Sequence, residues 1–437
     1  MPVKFLNHII ETKGVLHSIE RSVQVLRRFS FGKRRFAEMM ASLGSGYDAG
    51  GLRVTFCITA SLLHSHRDFI ERSFRGSCHE YAAHGYFHSN MKKKDREEQE
   101  RILESSYRLF RKCEIDVAGF RCPYLSYNRK TLEALSASPY SWTSNNIIFW
   151  DKFFSSGRGS QAHLKKLGLL YRTWNSNEYM SVPRYMGRVL DIPITAPDDE
   201  MIYERCRIKG NAEIGKVWNR ILRKVHGRGE LFHLLFHPER FQFVGGAIRS
   251  VVEVARELDQ PVWFATLNEI TGWWKKRRKT SWAADKTGAR RLVLRAPNEA
   301  TVLVKNRDGA LDGFYRGYYP AREAAPGSGL YVFNSIFPDE HTIRISAKAS
   351  PRLEEFLVNE GFLVKRHEAG GSGTLFIDGS GKFGKEDEMK LLDRIDEAPY
   401  PLVRVWRWPR GARSAFTISS DVDSIDIGDY LKRFFNF

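Results

Sequence analysis

Two imidazoles stand four residues apart in His84-Gly85-Tyr86-Phe87-His88. About one helical turn separates such residues, so both rings can face one metal ion. The pattern alone is weak. Its context strengthens it: a strand leads into Ala82-Ala83-His84, and Gly85 allows an irregular backbone at the strand's end. Barrel enzymes place their chemistry at the C-terminal ends of parallel strands. A second concentration is Gly119-Phe120-Arg121-Cys122-Pro123-Tyr124. It is either a plain strand-to-loop transition with a surface Arg, or a guanidinium that holds a carboxylate beside a turn whose N–H groups can meet an oxyanion. The third is His237, which ends the apolar run Leu231–Phe236. Pro238 closes that strand, so His237 sits at its mouth rather than mid-core. The fourth lies near the C-terminus, where Phe416-Thr417-Ile418-Ser419-Ser420 runs into Asp421-Val422-Asp423. Two acids one residue apart are common in turns. An EF-hand is excluded, because no Gly and Glu follow at its spacing.

Elements of the right kind precede each of these places. Val54–Thr59 reads as a short buried strand, followed by a helix through Phe69 and Ile70. Residues 95–113 are amphipathic, with Ile102, Leu103, Tyr107 and Phe110 on one side. Val117–Phe120 is a strand, and Asn128 can cap the helix containing Leu132 and Leu135. Asn146–Trp150 is strand-like, and Leu231–Phe236 has the continuous apolar character of a strand buried on both faces. Ile248, Val251, Val252, Ala255 and Leu258 form a helix stripe, Val262–Thr266 a strand, and a helix through Trp273 closes the run. Residues 16–42 carry helical spacing, with a break at Ser30-Phe31-Gly32. This alternation argues for a parallel sheet or barrel. From about 280 to 350 the chain changes to short alternating strands between Gly, Pro and Asp turns, which reads as a small β-sandwich. Helices follow near 351–361 and 386–396.

The chain has 437 residues and 42% hydrophobic content, enough for one large domain with an insertion or two domains. The five cysteines form no CxxC pair, so no disulfide or zinc-finger framework is expected. No run of about 18 apolar residues occurs, so no spanning helix is expected. The N-terminus lacks an apolar core segment and a small-residue cleavage site. The expected location is the cytoplasm. A net charge of +18 favours anionic partners. Two basic-aromatic clusters, Phe29–Phe36 and Trp273–Lys279, are either solvated basic faces or docking points on the anionic inner face of a membrane. No nucleic-acid module accompanies the charge, so nucleic acid is not expected.

Together the four places resemble the polysaccharide deacetylase (NodB-homology) family. His84 and His88 match its paired His ligands, and Arg121, Pro123 and Tyr124 match its Arg-Pro loop. Leu234 and His237 match its late Leu-x-x-His, and Asp421 and Asp423 its acid pair. The resemblance covers about 50–275 and 412–430. One departure is large: the family's acid pair precedes HxxxH, whereas here it comes last. Circular permutation explains this, with the first barrel strand supplied from the C-terminus; a tandem protein truncated in its second domain is the alternative. The family's remaining acidic motif has two candidates, Asp151 and the Asp198-Asp199 pair.

The resemblance implies a distorted (β/α)7-type barrel, circularly permuted. The barrel would occupy 1–280, a β-rich accessory region 281–400, and the returning strand 401–437. It implies Zn2+ or another divalent metal on His84, His88 and Asp423, with three protein ligands leaving an open position. Asp421 would be the general base, Arg121 would hold it, the Tyr124 N–H would meet the oxyanion and His237 would protonate the leaving amine. Pro123, Asp198 and Asp199 would line the substrate site. The implied reaction removes acetyl from an N-acetylated sugar or glycolipid. The rival readings are hydrolysis of a small cyclic or linear amide and an inactive carbohydrate-binding module.

Overall fold

A computed structural model describes residues 33–47, 53–74, 77–150, 168, 173–285, 291–306, 313–337, 339–368 and 373–432. The expected helix before residue 33, Phe29–Gly32 of the first basic cluster, Asp151 and the last residues of the returning 401–437 segment lie outside them.

The strand Ser414–Val422 is buried along its whole length and lies one strand in from the edge of a nine-stranded sheet, with neighbours on both sides. On one side it runs parallel to Leu231–Phe236, with Ala415 opposite Leu231 and Ser420 opposite Phe236. On the other side its first residues pair with Val262–Phe264 and its last with Val54–Ile58, both parallel. From Val54–Ile58 the sheet continues through Glu80–Ala83, Gly119–Phe120, Trp142–Thr143 and Val189–Asp191. It ends on the antiparallel strand Arg184–Met186. A second parallel sheet, Trp174–Asn175, Ile147–Phe149 and Ile194–Ala196, carries the curl onward. His233 N donates to Thr195 Oγ1 at 3.0 Å, which ties it towards Leu231–Phe236. The result is a curled half-barrel.

Helices cover the outside for the reason their sequences suggest. In Arg96–Lys112 the buried Leu103, Ser106 and Phe110 lie on one face, Asp95 caps the N-terminus, and acids then bases occupy the first and last turns. Asn128 and Thr131 form a reciprocal capping box at the start of Arg129–Ala137. Beneath the helices Phe56, Ile58, Phe120, Phe232, Leu234 and Ile418 form part of one continuous core. Phe232 and Phe416 stack across neighbouring strands at 5.4 Å.

The region after Arg277 is mixed rather than a plain sandwich. Two antiparallel sheets, Ser281–Asp285/Arg291–Arg295/Leu330–Asn334 and Val302–Lys305/Tyr318–Pro320/Val403–Val405, are joined by a parallel one. The parallel sheet holds Ile343–Ser346, Val364–His367 and Leu375–Ile377, and the helix Pro351–Asn359 lies between the first two strands. Parallel neighbours need such a crossover. Leu303, Tyr318, Ile343 and Trp406 share an apolar cluster with Trp273 and Trp274. Those two tryptophans are thus core residues, and Trp273 Nε1 donates to Arg407 O at 2.7 Å. Phe36 of the other cluster is buried as well. Lys275, Lys276 and Lys279 are exposed, but the ring insertion that membrane docking calls for is lost at the buried aromatic residues beside them. Among the described residues no helix is long and apolar enough to cross a membrane.

Candidate active site

His84 follows the strand Glu80–Ala83 directly and is buried. Its Nδ1 lies 3.0 Å from Arg121 O. A carbonyl only accepts, so Nδ1 donates to it, and Nε2 is the nitrogen turned towards Asp423. That Nε2 is 3.2 Å from Asp423 Oδ1, and His88 Nε2 is 3.2 Å from Asp423 Oδ2. The two histidines are not on a helical turn. The chain bends at Gly85, whose φ is +78°. A Cβ there would meet Phe87 O at 2.9 Å and Pro123 Cγ at 3.1 Å, so only glycine fits without strain. The bend does what the expected turn would have done, and the ring centroids come within 5.2 Å.

The donor atoms of His84, His88 and Asp423 lie within 4.8 Å of one another. Metal–ligand bonds of about 2.0–2.2 Å in a tetrahedron place ligand atoms about 3.3 Å apart. The 3.2 Å separations from His84 Nε2 to Asp423 Oδ1 and from His88 Nε2 to Asp423 Oδ2 are of this size, and two imidazoles with one carboxylate suit a borderline divalent ion. The residues present fit such a metal.

Asp421 is buried near the end of the strand Ser414–Val422, two residues before Asp423, which lies just past that end. Arg121 Nη1 donates to its Oδ1 at 2.7 Å, and its Oδ2 is 3.8 Å from His84 Nε2. Arg121 is fully buried; burial disfavours its charge, but the Asp421 carboxylate outweighs this and keeps it protonated. Of its two sequence readings, the surface Arg is therefore excluded.

His237 ends its strand at a short turn opened by Pro238. The Asp199 carboxylate accepts twice from it, from the backbone N–H at 2.7 Å and from Nδ1 at 2.8 Å. Burial alone would lower the His237 pKa; Asp199 overrides it and raises the pKa to about 10. Asp199 is held below its ordinary value by the same pairing, against burial. Asp198 accepts from Met201 N at 2.7 Å, and burial plus the neighbouring Asp199 charge push it up to about 7. Tyr124 sits in the turn after Arg121 with φ +59°, about half exposed, its ring against His88 at 4.3 Å. Pro123 is buried beneath that turn.

Four residues escaped the sequence reading. Ser144 receives Arg121 through its carbonyl and hydroxyl at 3.1 and 2.9 Å. Asn145 accepts the Cys122 N–H at 2.8 Å, and Asp191 accepts the Asn145 N–H at 3.2 Å. His233 lies 3.4 Å from Arg121. The available signal was the polar run Thr143-Ser144-Asn145-Asn146 set between apolar Trp142 and Ile147. Burial pushes the Cys57 and Cys122 thiols far up, so neither is a nucleophile.

Comparison with known proteins agrees with the motifs. Residues 47–142 match the family model described as polysaccharide deacetylase. The match includes His84, His88, Arg121, Pro123 and Tyr124, while His237, Asp421 and Asp423 lie beyond it. The resemblance to this family, and with it to hydrolases of non-peptide carbon–nitrogen bonds, is borne out. No curated protein is a significant match. Among solved structures, one described as a polysaccharide deacetylase from Mycobacterium smegmatis is 18% identical with a TM-score of 0.42, covering 54% of this chain and 76% of that one. Puue allantoinase is 14% identical with a TM-score of 0.40, covering 54% and 75%. A family 4 acetyl xylan esterase from Clostridium thermocellum, in complex with cobalt, is 14% identical with a TM-score of 0.23, covering 39% and 74%. Likenesses this distant carry none of the reasoning below.

Proposed function

We propose that this protein is a metal-dependent deacetylase acting on an N-acetylated sugar, built on a circularly permuted polysaccharide deacetylase scaffold. The observation that carries the reading is one convergence: His84 and His88 on Asp423, Arg121 on Asp421 and Asp199 on His237, all at C-terminal strand ends. His84, His88 and Asp423 would hold the metal, with zinc as the expected ion. When bound, such an ion supplies Lewis acidity, lowering the pKa of a coordinated water and offsetting oxyanion charge.

The chain's own groups divide the remaining work. Asp421, oriented by Arg121, takes a proton from water as the water oxygen attacks the acetyl carbon. The turn N–H at Tyr124 faces the developing oxyanion; one such donor is worth roughly 3–4 kcal/mol. The C–N bond then breaks, with His237 giving its proton to the departing nitrogen. The products are acetate and an amino sugar. Asp199 has a role here that differs from substrate lining: it keeps His237 protonated near neutral pH. Permutation accounts for the acid pair's position, since the strand carrying it lies beside Val54–Ile58, where a first barrel strand belongs. Acetate release from N-acetylated chito-oligosaccharides by zinc-loaded protein tests the reading. Metal bound at one equivalent without acetate from any acetylated sugar would refute it.

A further inference from the structure

Resting on that reading, we propose that His233 is a positioning residue for the reaction: as a neutral imidazole it anchors the far side of Arg121 and thereby fixes Asp421. His233 lies inside the strand Leu231–Phe236 and is fully buried. Its Nδ1 is 3.0 Å from Pro193 O. That carbonyl can only accept, so the hydrogen is on Nδ1. Burial first, then the Arg121 charge, push the His233 pKa well below its ordinary value, so Nε2 keeps its lone pair. Two donors face that nitrogen, the Ser419 hydroxyl at 2.8 Å and Arg121 Nη2 at 3.4 Å. A ring with hydrogen on Nε2 would instead point it at a guanidinium.

The arrangement gives Arg121 restraint from two directions. Ser144 takes Nε and Nη2 from one strand, and His233 takes Nη2 from another. Nη1 is left to Asp421. A histidine needed only for packing would be satisfied by Pro193 and Ser419. The position of Nε2 beside the guanidinium is what ties it to the proton acceptor, and partners of this kind orient the groups they touch.

The test uses the full zinc-loaded chain and N-acetylated chito-oligosaccharide. H233F keeps ring volume and removes the acceptor; H233Q keeps an acceptor at the Nε2 position. H233F should lower kcat about 10- to 100-fold with KM and metal stoichiometry unchanged, and H233Q should recover most of that loss. Wild-type kcat in folded H233F, or equal damage from both variants, overturns the proposal. Nitrogen-15 NMR of the wild-type protein gives a substrate-independent reading. It should show a neutral His233 with hydrogen on Nδ1, and an Arg121 Nε–H resonance that moves in H233Q. A charged ring, or hydrogen on Nε2, overturns the proposal even if H233F does not fold. A wild type that releases no acetate while the NMR result holds defeats the deacetylase reading instead.

Discussion

At the scale of single residues, the account separates groups that hold metal from groups that move protons. H84A and H88A should each lose bound metal and acetate release together, because either change removes one of the three donors proposed to hold the ion. Metal retained at one equivalent in both variants contradicts the ligand assignment. D421N should keep metal and lose turnover by about 100-fold or more, since a general base contributes roughly 10²–10⁴. Wild-type rates there would show that Asp421 is not the base. The His237–Asp199 pair sets a pH dependence whose sign follows from its shifts. A raised His237 pKa leaves the imidazolium intact through neutral pH, and activity that needs it should fall as pH rises through about 10. D199N removes the stabilising charge, so the alkaline limb of kcat should move to lower pH by at least about one unit. The pair's stability contribution has the same upper edge. It is complete below the ordinary histidine value, provided Asp199 is ionised, and is lost as pH rises through about 10. It is also lost at low pH, as Asp199 protonates through its lowered pKa. Thermal melts of wild type and D199N across pH measure both edges, and parallel melting curves would contradict the coupling.

At the scale of elements, position matters more than propensity. Gly85 is the clearest case. G85A should cost about 1–2 kcal/mol for the left-handed backbone. It should also weaken metal binding, because the added carbon presses on Phe87 O and Pro123, both in the site's frame. Calorimetric zinc titration and denaturant melts check both effects; unchanged affinity and stability would show the bend to be incidental. The strands Val54–Ile58 and Leu231–Phe236 were legible because near-continuous apolar character marks strands covered on both faces, and Ser414–Val422 was legible from its apolar Phe416 and Ile418 running into the acid pair. The amphipathic helices were legible from period and caps. Trp142–Thr143, Arg184–Met186 and Val189–Asp191 were not. They are two or three residues long, too short for any period to register, and only their neighbours define them. The rings of His84 and His88 come together by a glycine bend rather than by the expected helical turn, because a bend can bring i and i+4 together by another path. His233 was hidden for a related reason: an apolar strand gives no hint of which buried polar residue faces a guanidinium.

At the scale of the whole molecule, the site joins segments from distant parts of the chain. Arg121 and Asp421 are 300 positions apart yet share a 2.7 Å bond. The strand bearing Asp421 lies between Val54–Ile58 and Leu231–Phe236, so removing it exposes two sheet edges and deletes one proposed metal donor. A chain lacking residues 412–437 should therefore show no cooperative unfolding transition and no zinc binding. A folded, metal-binding truncation would contradict both the permutation and the site. The region from 281 to 405 is coupled to the same frame through Trp273, Trp274 and Trp406. The most direct test of the central claim is anomalous diffraction at the zinc edge from crystals of the zinc-loaded protein. The account predicts one strong peak within bonding distance of His84 Nε2, His88 Nε2 and the Asp423 carboxylate. A peak elsewhere, or none at that point in zinc-saturated crystals, would contradict it.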